Sequence, residues 1–140
     1  HDLGKLAIPD SILLKPGRLD SEEMACMRQH VAFGAEILGG SDCPILIMAE
    51  QIARYHHERW DGLGYLEGLE GLQIPLCARI LSVVDVFDAL TSERPYKRAW
   101  SFSEALAEIE KGRGSQFDPD LVDQFLRVAE DIYQLNPIHR

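Results

Sequence analysis

The sequence predicts an all-α, single-domain helical bundle, and three observations carry that expectation. No segment alternates apolar and polar residues over a convincing strand length. Apolar residues recur at helical spacing, as at Leu121, Val122, Phe125 and Val128. Helix-start signals stand before the apolar segments, with glycine or proline punctuating the gaps. At 140 residues the chain has room for one core and is too short for two.

The first long helix opens at Asp20-Ser21-Glu22-Glu23, since acidic groups favour the positive end of the helix dipole. That helix is expected to run to about Ile37, where Gly39-Gly40 stops it. A second should run from about Pro44 to His57. Residues 58–73 hold Gly62, Gly64, Gly68 and Gly71 together with Asp61 and Glu67, and read as an irregular excursion. Pro75 suits the first turn of a helix that continues through Leu90. Ser101-Phe102-Ser103-Glu104 is a capping-box pattern before Ala105 to Glu110, and Asp118-Pro119 starts the last helix.

Charge excludes one class of partner. Fourteen basic residues against twenty-three acidic ones give a net charge of -9, so a duplex nucleic acid is not expected to bind. A small phosphate ligand needs only local cations, and Lys15 with Arg18, or Arg94 with Lys97 and Arg98, supply them. No run of apolar residues reaches the length that spans a bilayer, so no membrane insertion by this chain is expected. Cys26, Cys43 and Cys77 lack Cys-x-x-Cys spacing and read as buried free thiols, which points to a reducing cytoplasm. A chain that opens at His1 rather than at Met reads as a fragment of a longer protein.

Position singles out the histidines. His1-Asp2 and His56-His57 are adjacent pairs beside glycines, and His30 falls within the first long helix. A lone helical histidine is more often a satisfied core residue than a ligand. Asp85 lies among Val83, Val84, Val86 and Phe87, which implies burial and therefore a partner or a metal. An ion pair with Arg79 is the plainer reading of that aspartate. Neighbours on a helix point about 100° apart, so adjacent ligands suit a helix end or a site with two metals. Imidazole and carboxylate without thiolate favour Fe, Mn, Ni or Co over a structural zinc site.

These residues also carry a resemblance. His1-Asp2-Leu3-Gly4-Lys5 resembles the signature of the HD phosphohydrolases. Ile8-Pro9-Asp10 and Lys15-Pro16-Gly17 are similar to the segment after that signature in the HD-GYP subfamily. His56-His57-Glu58-Arg59-Trp60-Asp61-Gly62-Leu63-Gly64-Tyr65 resembles the subfamily's HHExxDGxGYP motif. The segments from Asp85 to Ser92 and from Arg94 to Lys97 continue the pattern, which covers the chain to about Phe125. Two departures stand out: nothing precedes His1, where the family has a further helix with a histidine ligand, and Leu66 replaces the motif's proline.

The resemblance implies an HD-type bundle lacking the helix or helices before the HD pair, with residues 1–140 as one HD-GYP-like domain. It implies metal ligation by His1, Asp2, His30, His56, His57 and Asp85, with Asp2 bridging two or more divalent ions. It makes Asp2 and Lys5 catalytic, with Lys5 on the scissile phosphate. Arg94 and Lys97 would hold the substrate's phosphates, and Tyr65 would lie beside the site. The implied reaction is hydrolysis of cyclic di-GMP, or a related cyclic dinucleotide, to linear pGpG and onward to GMP. Sensory, receiver or GGDEF domains are the implied fusion partners. The alternatives are a non-catalytic binding or docking module, and an HD hydrolase of another phosphoester. The Asp85 to Ser92 and Arg94 to Lys97 segments speak against the latter. Leu66 is expected to leave its loop freer than proline would.

Overall fold

The computed structural model describes residues 1–93 and 98–135, and every named element among them is helical. The chain divides into two compact units, His1–Ala78 and Arg79–Arg140.

The first unit opens with a 3-10 segment, Asp2–Ala7, and a short helix α1, Asp10–Leu13. Helix α2, Ser21–Arg28, begins where the sequence places it: the Asp20 side chain accepts from the N–H groups of Glu22 and Glu23, and Glu23 answers by accepting from the Asp20 N–H. The single long helix expected here is divided. Gln29 intervenes, and α3 runs His30–Leu38, with His30 in its first turn. The Gln29 N–H donates to the Cys26 carbonyl, a tighter turn than the α-helical one. Helix α4, Pro44–Tyr55, starts on a proline and ends at His56, as its residues predict.

Small residues bring these elements together. Gly4 lies so close to α3 that a Cβ there would stand 1.8 Å from the His30 carbonyl oxygen. Gly34, next on α3, is 3.2 Å from the Ala53 Cβ of α4 by the same measure. With Val31, Ala35 and Ala53 fully buried, the 3-10 segment, α3 and α4 converge on their shared backbone. The ends of these elements carry His1-Asp2, His30 and His56-His57.

Helix α5, Leu76–Thr91, passes from the first unit into the second, which continues with α6, Phe102–Lys111, and α7, Pro119–Leu135. The Ser101–Glu104 capping box forms as expected. Asp118 caps α7 by accepting from the Asp120 N–H, and its other oxygen takes the Arg79 guanidinium. Val83, Phe87, Ile109, Phe117, Val122 and Phe125 form the core of this unit.

Three burial expectations are corrected. Val128 is 45% exposed because α7 turns its core face through Val122, Phe125 and Ala129; Val128 lines an open groove with Ile80, Leu121 and Ile132. Asp85 is only half-buried: a two-residue step turns a helix by about 200°, so it points away from buried Val83 and Phe87. The cysteines are free, as expected, but Cys43 is exposed at the start of α4 and the other two are half-buried. No described helix is long and apolar enough to cross a membrane.

Candidate metal centre

The His30 ring is buried at the start of α3, where its Nδ1–H donates to the Met27 carbonyl at 2.8 Å. The His56 ring is buried at the end of α4, with Nδ1 3.0 Å from the Ile52 carbonyl and 3.1 Å from that of Ala53. Carbonyls only accept, so both Nδ1 atoms carry a hydrogen, and in the neutral rings both Nε2 atoms are left as acceptors. Those two Nε2 atoms face each other across 3.5 Å. The His57 ring centroid lies 4.1 Å from that of His56 and 5.2 Å from that of His30. One ligand atom from each of the three histidines falls within 4.8 Å of the others.

Asp2 and His1 border this cluster. Asp2 Oδ1 is 3.6 Å from His30 Nε2, and Oδ2 is 3.5 Å from His1 Nε2. The His1 ring meets that of His56 edge-on at 5.0 Å. Lys5 Nζ donates to Asp2 Oδ2 at 2.6 Å, one turn along the 3-10 segment.

Electrostatics favours ligation over acid–base cycling by the rings. Burial, then the neighbouring His56 and His30, pushes the His57 pKa down to about 3. Burial lowers His56 as well, against the carbonyl bonds and Asp2, which act the other way. Burial pushes the Asp2 carboxyl up, but the hydrogen bond and charge of Lys5, with the fields of His30 and His56, bring it below its ordinary value. His56 and His57 are thus biased towards the neutral imidazole and Asp2 towards the carboxylate, the states that bind a cation.

The donor set fits a metal. Two lone pairs facing each other at 3.5 Å repel unless a proton or a metal cation is held between or beside them. The three histidines of the group each offer one imidazole nitrogen, a donor type that suits divalent transition metals.

Tyr65, expected beside the site, stacks on the His57 ring at 4.8 Å with an interplanar angle of 21°. Burial pushes its phenol up to about 12, so it stays protonated. The Arg28 guanidinium lies 4.9 Å from the same ring. Sequence reasoning missed Arg28, whose only signal was its place two residues before His30. Glu58, read either as a partner for neighbours of Arg59 or as an acceptor for a ligand histidine, instead holds the backbone of Glu67 and Gly68. Arg59 pairs with Asp61. Asp85 sits on the second unit's part of α5. Arg94 and Lys97 lie outside the described residues.

A helical chain whose paired histidines and aspartate converge in this way has the makings of a metal-binding hydrolase core. The sequence matches the HD domain family over residues 1–121, and the chain belongs to that family. The resemblance to HD-GYP proteins is borne out by its relatives. It is 52% identical over 135 residues to the cyclic di-GMP phosphodiesterase response regulator RpfG of Xanthomonas campestris pv. campestris, covering 96% of this chain and 36% of that protein. It is 48% identical over 132 residues to a cyclic di-GMP phosphodiesterase of Thermotoga maritima, covering 94% and 36%. It is also 48% identical over 126 residues to the 3'3'-cGAMP-specific phosphodiesterase 2 of Vibrio cholerae, covering 90% and 24%. The chain thus spans about a third or less of the length of these relatives. A crystal structure of a cyclic GMP-AMP specific phosphodiesterase of Vibrio cholerae shares the fold, with a TM-score of 0.59 at 23% identity over 97% of this chain and 34% of that one.

Proposed function

We propose that this chain carries the catalytic centre of a metal-dependent phosphodiesterase that hydrolyses cyclic di-GMP to pGpG and onward to GMP. The observation that carries the reading is the facing pair of Nε2 atoms on His30 and His56, each fixed in its tautomer by a backbone carbonyl. His1, Asp2, His30, His56, His57 and Asp85 would hold the ions in this reading, with Asp2 the carboxylate on which the centre most depends. Two or more divalent ions of the Fe, Mn, Ni or Co type would supply a water deprotonated near neutral pH and would neutralise phosphoryl charge.

The chain's own groups do the rest. The carbonyls of Met27, Ile52 and Ala53 keep the rings oriented. Lys5, whose ammonium donates to Asp2 Oδ2, would also offer its remaining N–H donors to a phosphoryl or leaving oxygen at the site. Tyr65 covers one face of His57. A regulatory domain is proposed for the rest of the protein, since one relative is named a response regulator.

Cyclic GMP-AMP is the second substrate to consider. A relative named for it is 48% identical, against 52% and 48% for two named for cyclic di-GMP, a margin too small to choose between the substrates.

Protein purified without chelators should contain more than one Fe, Mn, Ni or Co per chain and should release pGpG from cyclic di-GMP. Removing the metal should stop hydrolysis, and reconstitution should restore it. Background metal that stays unchanged on reconstitution would refute the centre.

Arg94 and Lys97 are the proposed phosphate clamp. Charge-assisted hydrogen bonds contribute about 1.5–3 kcal/mol each, so replacing either should weaken binding roughly tenfold or more. Replacing Lys15 and Arg18 should do much less, because Lys15 is already engaged by Glu23. Calorimetric titration of cyclic di-GMP into a metal-loaded, hydrolysis-dead variant measures both. Equal small effects would reduce Arg94 and Lys97 to solvated charges.

A further inference from the structure

Glu58 directly follows the two adjacent histidines, yet the loop is what it binds. The residue is 4% exposed. Its Oε1 accepts from the N–H of Glu67 at 2.8 Å and of Gly68 at 3.1 Å. Its Oε2 is buried with no hydrogen-bond partner. Both hydrogen bonds of this buried carboxylate thus go through one oxygen, and both hold the loop backbone.

The held backbone lies next to a strained residue. Leu66 has a φ of 112°, where an L side chain is disfavoured. Such a conformation persists only where the surroundings over-determine it. Here both flanks are fixed. On one side the Tyr65 N–H reaches the His57 carbonyl at 3.4 Å, and the Tyr65 ring lies on the His57 ring. Gly64 permits this approach, because a Cβ there would meet the Glu58 Cα at 2.5 Å. On the other side the Glu67 carboxylate accepts from Arg54 at 3.3 Å and from the Tyr55 hydroxyl at 3.4 Å, while Glu58 takes the backbone.

We infer that Glu58 is a positioning residue: by accepting the Glu67 and Gly68 amides it holds Leu66 at positive φ and lays Tyr65 on His57, fixing the plane of that ring. The reading of His57 as a metal ligand underlies the last step, but the placement of Tyr65 is independent of it.

Two measurements keep those parts separate. In metal-free protein, nuclear Overhauser contacts between the Tyr65 and His57 rings should be present in the wild type and in Glu58→Gln, which keeps a carbonyl acceptor. They should be absent in Glu58→Ala. Titration with Mn²⁺ should show affinity about tenfold weaker in Glu58→Ala, as expected for a residue that orients a ligand, and within about twofold of wild type in Glu58→Gln. Should Glu58→Ala fail to fold, slow exchange of the Glu67 and Gly68 amides in Glu58→Gln decides for the clamp, and exchange at unprotected rates decides against it. Ring contacts that survive in Glu58→Ala overturn the inference, as does their loss in both variants, which would mean that charge and not the acceptor matters. A wild type with the contacts but without Mn²⁺ affinity would refute the metal centre while leaving the clamp standing.

Discussion

Asp2→Ala is expected to reduce hydrolysis of cyclic di-GMP by about a thousandfold or more while leaving the helical circular-dichroism signal nearly unchanged. The two halves of that expectation come from different parts of the molecule. Asp2 Oδ1 lies 3.6 Å from Nε2 of the buried His30 and its Oδ2 lies 3.5 Å from His1 Nε2, so it is a group on which a cation held by these rings would rest. Its fold contribution is small. The pair it makes with Lys5 joins side chains 42% and 40% exposed, and exposed pairs of this kind stabilise by about 0–1 kcal/mol. Asp2→Asn is the sharper variant, since it keeps shape and removes charge. Turnover by either variant within tenfold of wild type, at equal metal loading, would show that Asp2 is not the shared ligand.

Gly4→Ala should act through the backbone. The added methyl would stand 1.8 Å from the His30 carbonyl oxygen and 2.5 Å from the Gly34 amide nitrogen, both of them main-chain atoms of α3. Neither can swing aside as a side chain can, so the Asp2–Ala7 segment must lift away from the helix. Overpacking of this kind costs about 1–3 kcal/mol and more where backbone must move. A fall of several degrees in melting temperature is expected, because about 1 kcal/mol shifts a domain of this size by roughly 2–8 °C. Metal affinity should fall with it, since Asp2 retreats from His30. Calorimetry and Mn²⁺ titration of the same sample test both. An unchanged melting temperature with unchanged affinity would mean that the two backbones are not in contact.

The features legible from sequence are those in which one residue type has one physical use. Asp20 and Ser101 begin helices because their side chains reach free N–H groups, and each does so. The glycine-rich stretch after His57 is irregular, as its composition requires. His30, His56 and His57 do converge. What escaped was set by packing. The break at Gln29 leaves no mark in a sequence whose propensities favour continuing the helix. Apolar neighbours in sequence suggest a buried Asp85, but the helical turn aims it away from the buried ones. Arg28 meets Tyr65 across thirty-seven positions of chain, a distance that no local pattern spans.

Leu66 carries a consequence for how this sequence can change over generations. A pyrrolidine ring fixes φ near -65°, so the proline of the HHExxDGxGYP pattern cannot occupy the backbone that Leu66 adopts at 112°. Leu66→Pro is therefore not a neutral single step. With the main chain at this positive φ, glycine becomes the easy replacement, and proline demands that the neighbouring anchors at Glu58 and Tyr65 be rebuilt at the same time. The residues that position 66 can accept are thus set by what stands at positions 58 and 65, so the three positions are physically coupled.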